Sequence, residues 1–262
     1  MKKLVLAAAA AFLMSATAQA ETLRVATSGD FPPWTYIGAN GDIVGFERDI
    51  VDTICKKIEA ECTWSNQSFD SLLPSLQIGK FDLIISGISI TDERKLQVDF
   101  STPYADPPMS MAAAAGSPLA KVTTREELEK ALEGKTIGVQ SGTTHAAVAE
   151  KHFKNADIRI YERNEHIADD IAAGRLDAGL MEVSVWKGLL DARNDKVIAT
   201  FGPMLSSADY AEFGQGAGIA MKKGRDALRR RVDAAITEML DDNTITNLSN
   251  KYFGYDVSYR KH

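Results

Sequence analysis

The chain has 262 residues, 45% hydrophobic and 25% charged, with 30 Lys and Arg against 36 Asp and Glu for a formal net charge of −6. An acidic chain without a basic, aromatic-interleaved run is a poor partner for nucleic acid, and Arg229-Arg230-Arg231 lies in a helical pattern that reads as a solvated face. The length and ordinary composition allow one large domain or two modest ones, each with its own core.

The first residues read as an address rather than as structure. Met1-Lys2-Lys3 is basic, Leu4 to Met14 is apolar and alanine-rich, and Ala18-Gln19-Ala20 is a small-residue cleavage site. Residues 1–20 are therefore expected to be a secretory signal peptide, cut before Glu21, whose apolar core is too short to span a bilayer. The predicted location is the periplasm. Removing two lysines and no acids leaves the mature chain still more acidic.

Thr22 to Thr27 alternates like a strand and runs into Ser28-Gly29-Asp30-Phe31-Pro32-Pro33-Trp34, a turn rich in breakers and aromatics. Gly41-Asp42 marks a hairpin-like turn. Phe46 to Ile58 carries apolar residues at helical spacing, Thr63 to Asn66 suits a strand, and Asp70 to Leu76 suits a short helix. Cys55 and Cys62 are the only cysteines; in an exported chain a disulfide from helix to following strand is favoured over reactive thiols.

Phe81 to Ile84 reads as a buried strand, followed by the hydroxyl-rich turn Ile85 to Ile90 and a helix start capped by Thr91. Such a turn, outside the carboxyl end of a strand, can receive an anion, and Arg94 adds a forked cation suited to a carboxylate. A cation is disfavoured at a helix N-terminus, so its place there points to a partner anion rather than to a plain surface residue.

Asp99 to Met111, with Pro103, Pro107 and Pro108, favours an extended connection. A second series follows: a loop and helix over Pro118 to Glu133, a strand over Thr136 to Val139, a polar turn from Gln140 to Thr144, and a helix from His145 to Phe153. Then come a strand at Ile158 to Tyr161, a helix from Glu165 to Ala173, and a strand from Leu176 that ends at Glu182. Phe213 to Gly218 reads as a second extended passage, leading to a strand at Gly218 to Met221 and helices over Asp226 to Asp241 and Thr244 to Tyr252. The repeated strand, polar turn and helix imply an α/β architecture. His145, His152, His166 and His262 lie away from the cysteines and read as surface or half-buried, so no metal is expected. No Gly-x-Ser-x-Gly elbow or phosphate loop is present, and no cofactor is expected.

Taken together, Gly-Asp-Ile-Val-Gly-Phe-Glu-Arg-Asp-Ile (41–50), Leu-Leu-Pro-Ser-Leu (72–76), the run from Phe81 to Arg94 and Asp-Phe-Ser-Thr-Pro-Tyr (99–104) carry a resemblance. Gly-Val-Gln-Ser-Gly-Thr-Thr (138–144), Ala-Gly-Arg-Leu-Asp-Ala (173–178) and Lys-Tyr-Phe-Gly-Tyr-Asp (251–256) extend it over essentially the whole mature chain. The chain resembles extracytoplasmic solute-binding proteins of the polar amino-acid family (family 3) that serve ABC importers. It is most similar in appearance to the lysine/arginine/ornithine, histidine and opine binders.

The resemblance implies a two-lobed, Venus-flytrap periplasmic binding protein fold with two hinge crossings, lobe 1 being residues 21–108 and 217–262 and lobe 2 residues 109–216. It implies a monomer that closes over a small zwitterionic amino acid, or a derivative such as an opine, and delivers it to an ABC permease in the inner membrane. Arg94 would clamp the ligand carboxylate with help from Thr143 and Thr144. Ser89, the Gly87 carbonyl and Glu182 would hold the ammonium, and Phe31 and Phe69 would sandwich the side chain, with Ser86 at the wall and Gln140 opening the opposite turn. The Cys55/Cys62 pair matches a disulfide of the cationic-amino-acid branch. Three positions depart from that branch: Ser28 replaces an aspartate for the ligand's distal charge with Asp30 close by, Gly87 replaces a serine, and Glu182 replaces an aspartate.

Periplasmic cyclohexadienyl dehydratases look similar and share a Ser-Gly-Ile-Ser type of turn, which makes an enzyme on the same scaffold the alternative. Glu182 would then be the general acid.

Overall fold

A computed structural model describes residues 20–194 and 196–260, so nearly all of the predicted signal peptide, and His262, lie outside the described residues. The chain opens with β1 (Glu21–Thr27), the short strands β2 (Asp30–Phe31), β3 (Thr35–Ile37) and β4 (Ile43–Val44), and helix α1 (Phe46–Lys57). It continues with β5 (Ala60–Asn66), α2 (Phe69–Gln77), β6 (Leu83–Ile84), α3 (Asp92–Lys95) and β7 (Asp99–Phe100). The middle comprises β8 (Met109–Ala114), α4 (Arg125–Ala131), β9 (Thr136–Gln140), α5 (Thr144–His152), β10 (Asp157–Tyr161), α6 (Asn164–Ala172), β11 (Ala178–Glu182), α7 (Val183–Arg193) and β12 (Ile198–Leu205). The tail adds β13 (Ala220–Met221), α8 (Asp226–Asp241) and α9 (Thr244–Phe253).

Two mixed five-stranded sheets result, which makes the molecule two-lobed. One has the order β5-β1-β6-β13-β7, the other β10-β9-β11-β8-β12, and β2, β3 and β4 form a small antiparallel sheet of their own. In the first sheet β1 runs parallel to β5 and β6, while β13 returns antiparallel to β6 and β7. The second repeats the plan, with β9 parallel to β10 and β11 and β8 antiparallel to β11 and β12. The parallel strands point their carboxyl ends at the cleft, where ligands collect in open α/β sheets.

The chain passes between the sheets twice, and the two passages are bonded to each other. Tyr104 N donates to Ala217 O at 2.9 Å, and Ala217 N donates to Ala105 O at 2.7 Å. Behind the cleft one apolar core runs through both halves, from Trp34, Phe46 and Phe253 to Ile167, Trp186 and Leu189. Trp34 meets Phe46 edge-on at 5.4 Å and Phe253 at 4.9 Å, favourable aromatic geometry.

Local sequence accounts for most elements. Helix α1 buries Phe46, Ile50, Val51 and Ile54, with acids in its first turn and lysines in its last, matching the helix dipole. Cys55 on α1 is bonded to Cys62 on β5, as the sequence led one to expect. Helix α7 and strand β12 had no counterpart in the sequence reading. The segment Val-Ser-Val-Trp-Lys-Gly at the start of α7 has weak helix propensity, and buried Val185, Trp186 and Leu189 supply what propensity does not. Among the described residues no helix is long and apolar enough to cross a membrane.

Candidate functional site

The turn after β6 forms one wall of the cleft. Thr91 caps α3, its side chain accepting from Arg94 N at 3.2 Å. The Arg94 guanidinium folds back toward the turn, with Nη1 donating to Ser89 O and Nη2 donating to Gly142 O in the opposite half, each at 2.9 Å. Burial pulls its pKa down to about 10. The guanidinium has five N–H donors, and the two hydrogen bonds it makes both go to backbone carbonyls.

Gly87 is held in an unusual conformation by a residue that sequence reasoning did not single out. Its φ is +57°, and its N–H donates to Glu47 Oε1 at 2.6 Å. A Cβ here would lie 2.8 Å from the Phe31 ring, so the residue that replaces a serine is fixed by both backbone and packing. Glu47 is fully buried, takes further hydrogen bonds from Tyr104 Oη and Thr35 Oγ1, and has its pKa raised to about 7 by desolvation. Its position could have been found, because Glu47, Ile50, Val51 and Ile54 share one helical face.

The opposite wall comes from the second sheet. β9 ends at buried Gln140, and Thr143 caps α5, accepting from Ala146 N at 3.2 Å and donating to Gln140 O at 2.7 Å. The Thr144 hydroxyl lies 3.4 Å from that of Ser89 across the cleft. Glu182 closes β11 and is 5% exposed; desolvation, aided by the charge of Glu47, raises its pKa to about 8.

His145 corrects the sequence reading, which had it at the surface or half-buried. It is buried beside Phe213, with Nε2 3.2 Å from Met109 Sδ and 3.7 Å from Glu182 Oε1. Desolvation, with the Arg94 charge added, lowers its pKa to about 3, so it is a neutral imidazole against a neutral or anionic acid. Among the described residues no three His, Cys, Asp or Glu side chains gather as a metal site.

A narrow cavity between the sheets is lined by Phe31, Phe69, Ser86, Gly87, Ser89 and Arg94 on one side and by Gln140, Thr143, Thr144 and Glu182 on the other. His145 and Asn164 complete it, neither of which the sequence had marked. Ser28 is the predicted contact that stays outside. It lies behind Ser86, its N–H donating to Ser86 Oγ at 3.1 Å and its hydroxyl to Asp30, and it faces a separate outer pocket with Asn66 and Arg163. The cavity thus has a permanent cation, an acid, two aromatic rings and several hydroxyls and amides, an inventory suited to a zwitterion with a polar side chain.

Known proteins resemble the chain over nearly its whole length. The model of the bacterial extracellular solute-binding proteins, family 3, matches residues 23–255. A putative ABC transporter arginine-binding protein 2 of Escherichia coli (strain K12) is 37% identical over 255 residues, covering 97% of this chain and 99% of that protein. The lysine/arginine/ornithine-binding periplasmic protein of the same organism is 35% identical over 240 residues, 90% of this chain and 89% of its own. Among solved structures, a periplasmic binding protein of Salmonella typhimurium with high arginine specificity is 32% identical and superimposes with a TM-score of 0.79, over 89% of this chain and 100% of that one. These relatives are binding proteins, and the dehydratase alternative draws no support from them.

Proposed function

The chain belongs to family 3 of the bacterial extracellular solute-binding proteins, and from that premise we propose that it captures a polar amino acid in the periplasm and delivers it to an inner-membrane ABC permease. The observation that carries this reading is the meeting of Arg94 from one half and Glu182 from the other in one buried cavity. A ligand carboxylate would dock on the free N–H groups of Arg94 with the Thr143 and Thr144 turn, and a ligand ammonium on Glu182, Ser89 and the Gly87 carbonyl. Each ligand charge would meet its opposite where water is excluded, which makes the pairings strong.

The working unit is a monomer with lobes 21–108 with 217–262, and 109–216, that hinge at the paired passages around Tyr104 and Ala217. Closure then depends on the ligand's differential affinity for the shut form, the form a permease would recognise. The names of the relatives, arginine and lysine/arginine/ornithine binders, favour a nitrogen-rich side chain here as well. Calorimetry of the mature protein against the common L-amino acids and opines is expected to give one-to-one binding of at least one polar member. A panel without any binder would remove the reading.

A further inference from the structure

Asp30, on the short strand β2, is buried at 5% exposure with both carboxyl oxygens in use. Oδ1 accepts from the Ser28 hydroxyl. Oδ2 accepts from Gln140 Nε2 at 3.1 Å and from the Asn164 backbone N–H at 3.4 Å, both of which come from across the cleft. No sequence signal marked Asp30 beyond its nearness to Ser28, and it does not itself line the cavity.

Its effect is to fix the direction of two amides. The second N–H of Gln140 Nε2 goes to Glu162 O at 3.0 Å, and a backbone carbonyl can only accept. With both Nε2 protons committed to acceptors, Gln140 cannot turn over without facing oxygen with oxygen. Its Oε1 therefore takes Asn164 Nδ2 at 3.0 Å, which in turn fixes Asn164 with its carbonyl on the far side. Among the described residues nothing donates to Asn164 Oδ1. Gln140 and Asn164 are 4% and 3% exposed and both line the cavity, beside Phe31 and Ser86. Asn164 Oδ1 and the second lone pair of Gln140 Oε1 are thus left with acceptor capacity at a place that lines the cavity, alongside one unused N–H of Asn164 Nδ2.

We propose that Asp30, acting through Gln140 and Asn164, sets the side-chain specificity of the site by turning amide oxygens toward the cavity, so that it selects an amino acid whose side chain ends in several N–H donors, of the guanidino or ureido class. The inference rests on the amino-acid-binding reading above. Asp30 is a positioning residue, and Gln140 and Asn164 are the groups that meet the ligand. A side chain ending in methyl leaves buried carbonyls unpaired, the situation that polar sites reject most strongly. Asp30 replaces a direct carboxylate contact with a relay, which explains how a chain with Ser28 in place of an aspartate can still read nitrogen.

Calorimetry with arginine, citrulline and norleucine on the wild type and two variants tests the relay. In the wild type, arginine and citrulline should each bind at least tenfold tighter than norleucine. In Asp30→Asn the new carboxamide can donate to Gln140 Oε1, freeing Gln140 to turn, and the arginine-to-norleucine preference should shrink at least tenfold. A preference that survives while all affinities fall together shows Asp30 to be merely structural and overturns the proposal. Asn164→Asp, which gives up the bond to Gln140 Oε1 and adds charge at the ligand's end, should lower overall affinity but raise the arginine-to-citrulline ratio several-fold; an unchanged ratio overturns the relay even if Asp30→Asn does not fold. Wild-type protein that binds norleucine as tightly as arginine sinks the relay alone, whereas wild-type protein that binds no amino acid at all sinks the underlying reading with it.

Discussion

Arg94 Nη2 reaches the Gly142 carbonyl at 2.9 Å, so the guanidinium that faces the cavity is also a strut between the two halves. Gly142 can take this place because its φ is +71° and the Asp70 backbone lies close by, 3.2 Å from where a Cβ would stand. The same side chain therefore stands both at the cavity and at the junction of the two halves.

Arg94→Ala should lower affinity for the ligand at least a hundredfold, about 3 kcal/mol, the scale of a lost charge-assisted pair in a buried site. Arg94→Lys should recover only part of this, because a single ammonium cannot serve Ser89 O, Gly142 O and a carboxylate with the geometry of a fork. Calorimetry decides it, and equal affinity in all three proteins would take Arg94 out of the site.

Gly87→Ala should destabilise the protein by about 1–3 kcal/mol, since alanine must take φ +57° and push its methyl against the Phe31 ring. Displacing Phe31 should also weaken ligand binding. Urea melts with and without ligand measure both effects, and an unchanged midpoint would contradict the packing described here.

Stability should depend on pH through the two buried acids. The unfolded chain ionises both near the ordinary glutamate value of 4.5, whereas folding holds Glu47 and Glu182 protonated up to about 7 and about 8. The folded state binds more protons in that window, so their contribution is present below 4.5 and is lost as pH rises through 7 and 8. His145 acts oppositely, its pKa falling from 6.5 to about 3, so between those values it favours the folded state as pH rises. From pH 6.5 to 8 the acids act without that offset. Ligand-free protein should therefore lose stability across this range, by at most about 1.4 kcal/mol per pH unit for each group still protonated. Glu182→Gln should flatten the upper part of the fall in urea melts, and a slope equal to the wild type's would place the titration elsewhere.

The turn from Ile85 to Arg94 was legible because its signals are local: an apolar strand, a hydroxyl-rich turn, and a Thr cap three residues before Arg94. Strands β1, β6, β9, β10 and β11 and helices α1 and α8 were legible for the same reason, each carrying its own period. Asp30, His145 and Asn164 were not, since each owes its place to partners far along the chain, and Glu47, though its place on the buried face of α1 is local, takes its hydrogen bonds from equally distant residues. Glu47 is buried by Gly87 and Tyr104, and Asp30 by Gln140 and Asn164, contacts that span 40 to 134 residues. Local spacing carries the walls of the cavity, and only tertiary packing shows which polar groups stand behind them.

Trp34 is one of three tryptophans and the one whose indole N–H bridges the two halves. It is fully buried, and its indole Nε1 donates to Ser184 Oγ at 2.8 Å, from the small sheet of one half to the start of α7 in the other. Ser184→Ala leaves the indole N–H without that acceptor in a buried place, a cost of about 1–3 kcal/mol that falls on the form in which the two halves are bonded here. An open form that parts Trp34 from Ser184 would let water reach the same group, so the variant should shift the equilibrium toward opening and weaken the ligand by roughly tenfold or more, with the conformational share of affinity lost as the competent fraction falls. Tryptophan emission should move to longer wavelength in the ligand-free variant and return on saturation. Emission and affinity that both match the wild type would show that the Trp34 to Ser184 bond does not distinguish open from closed.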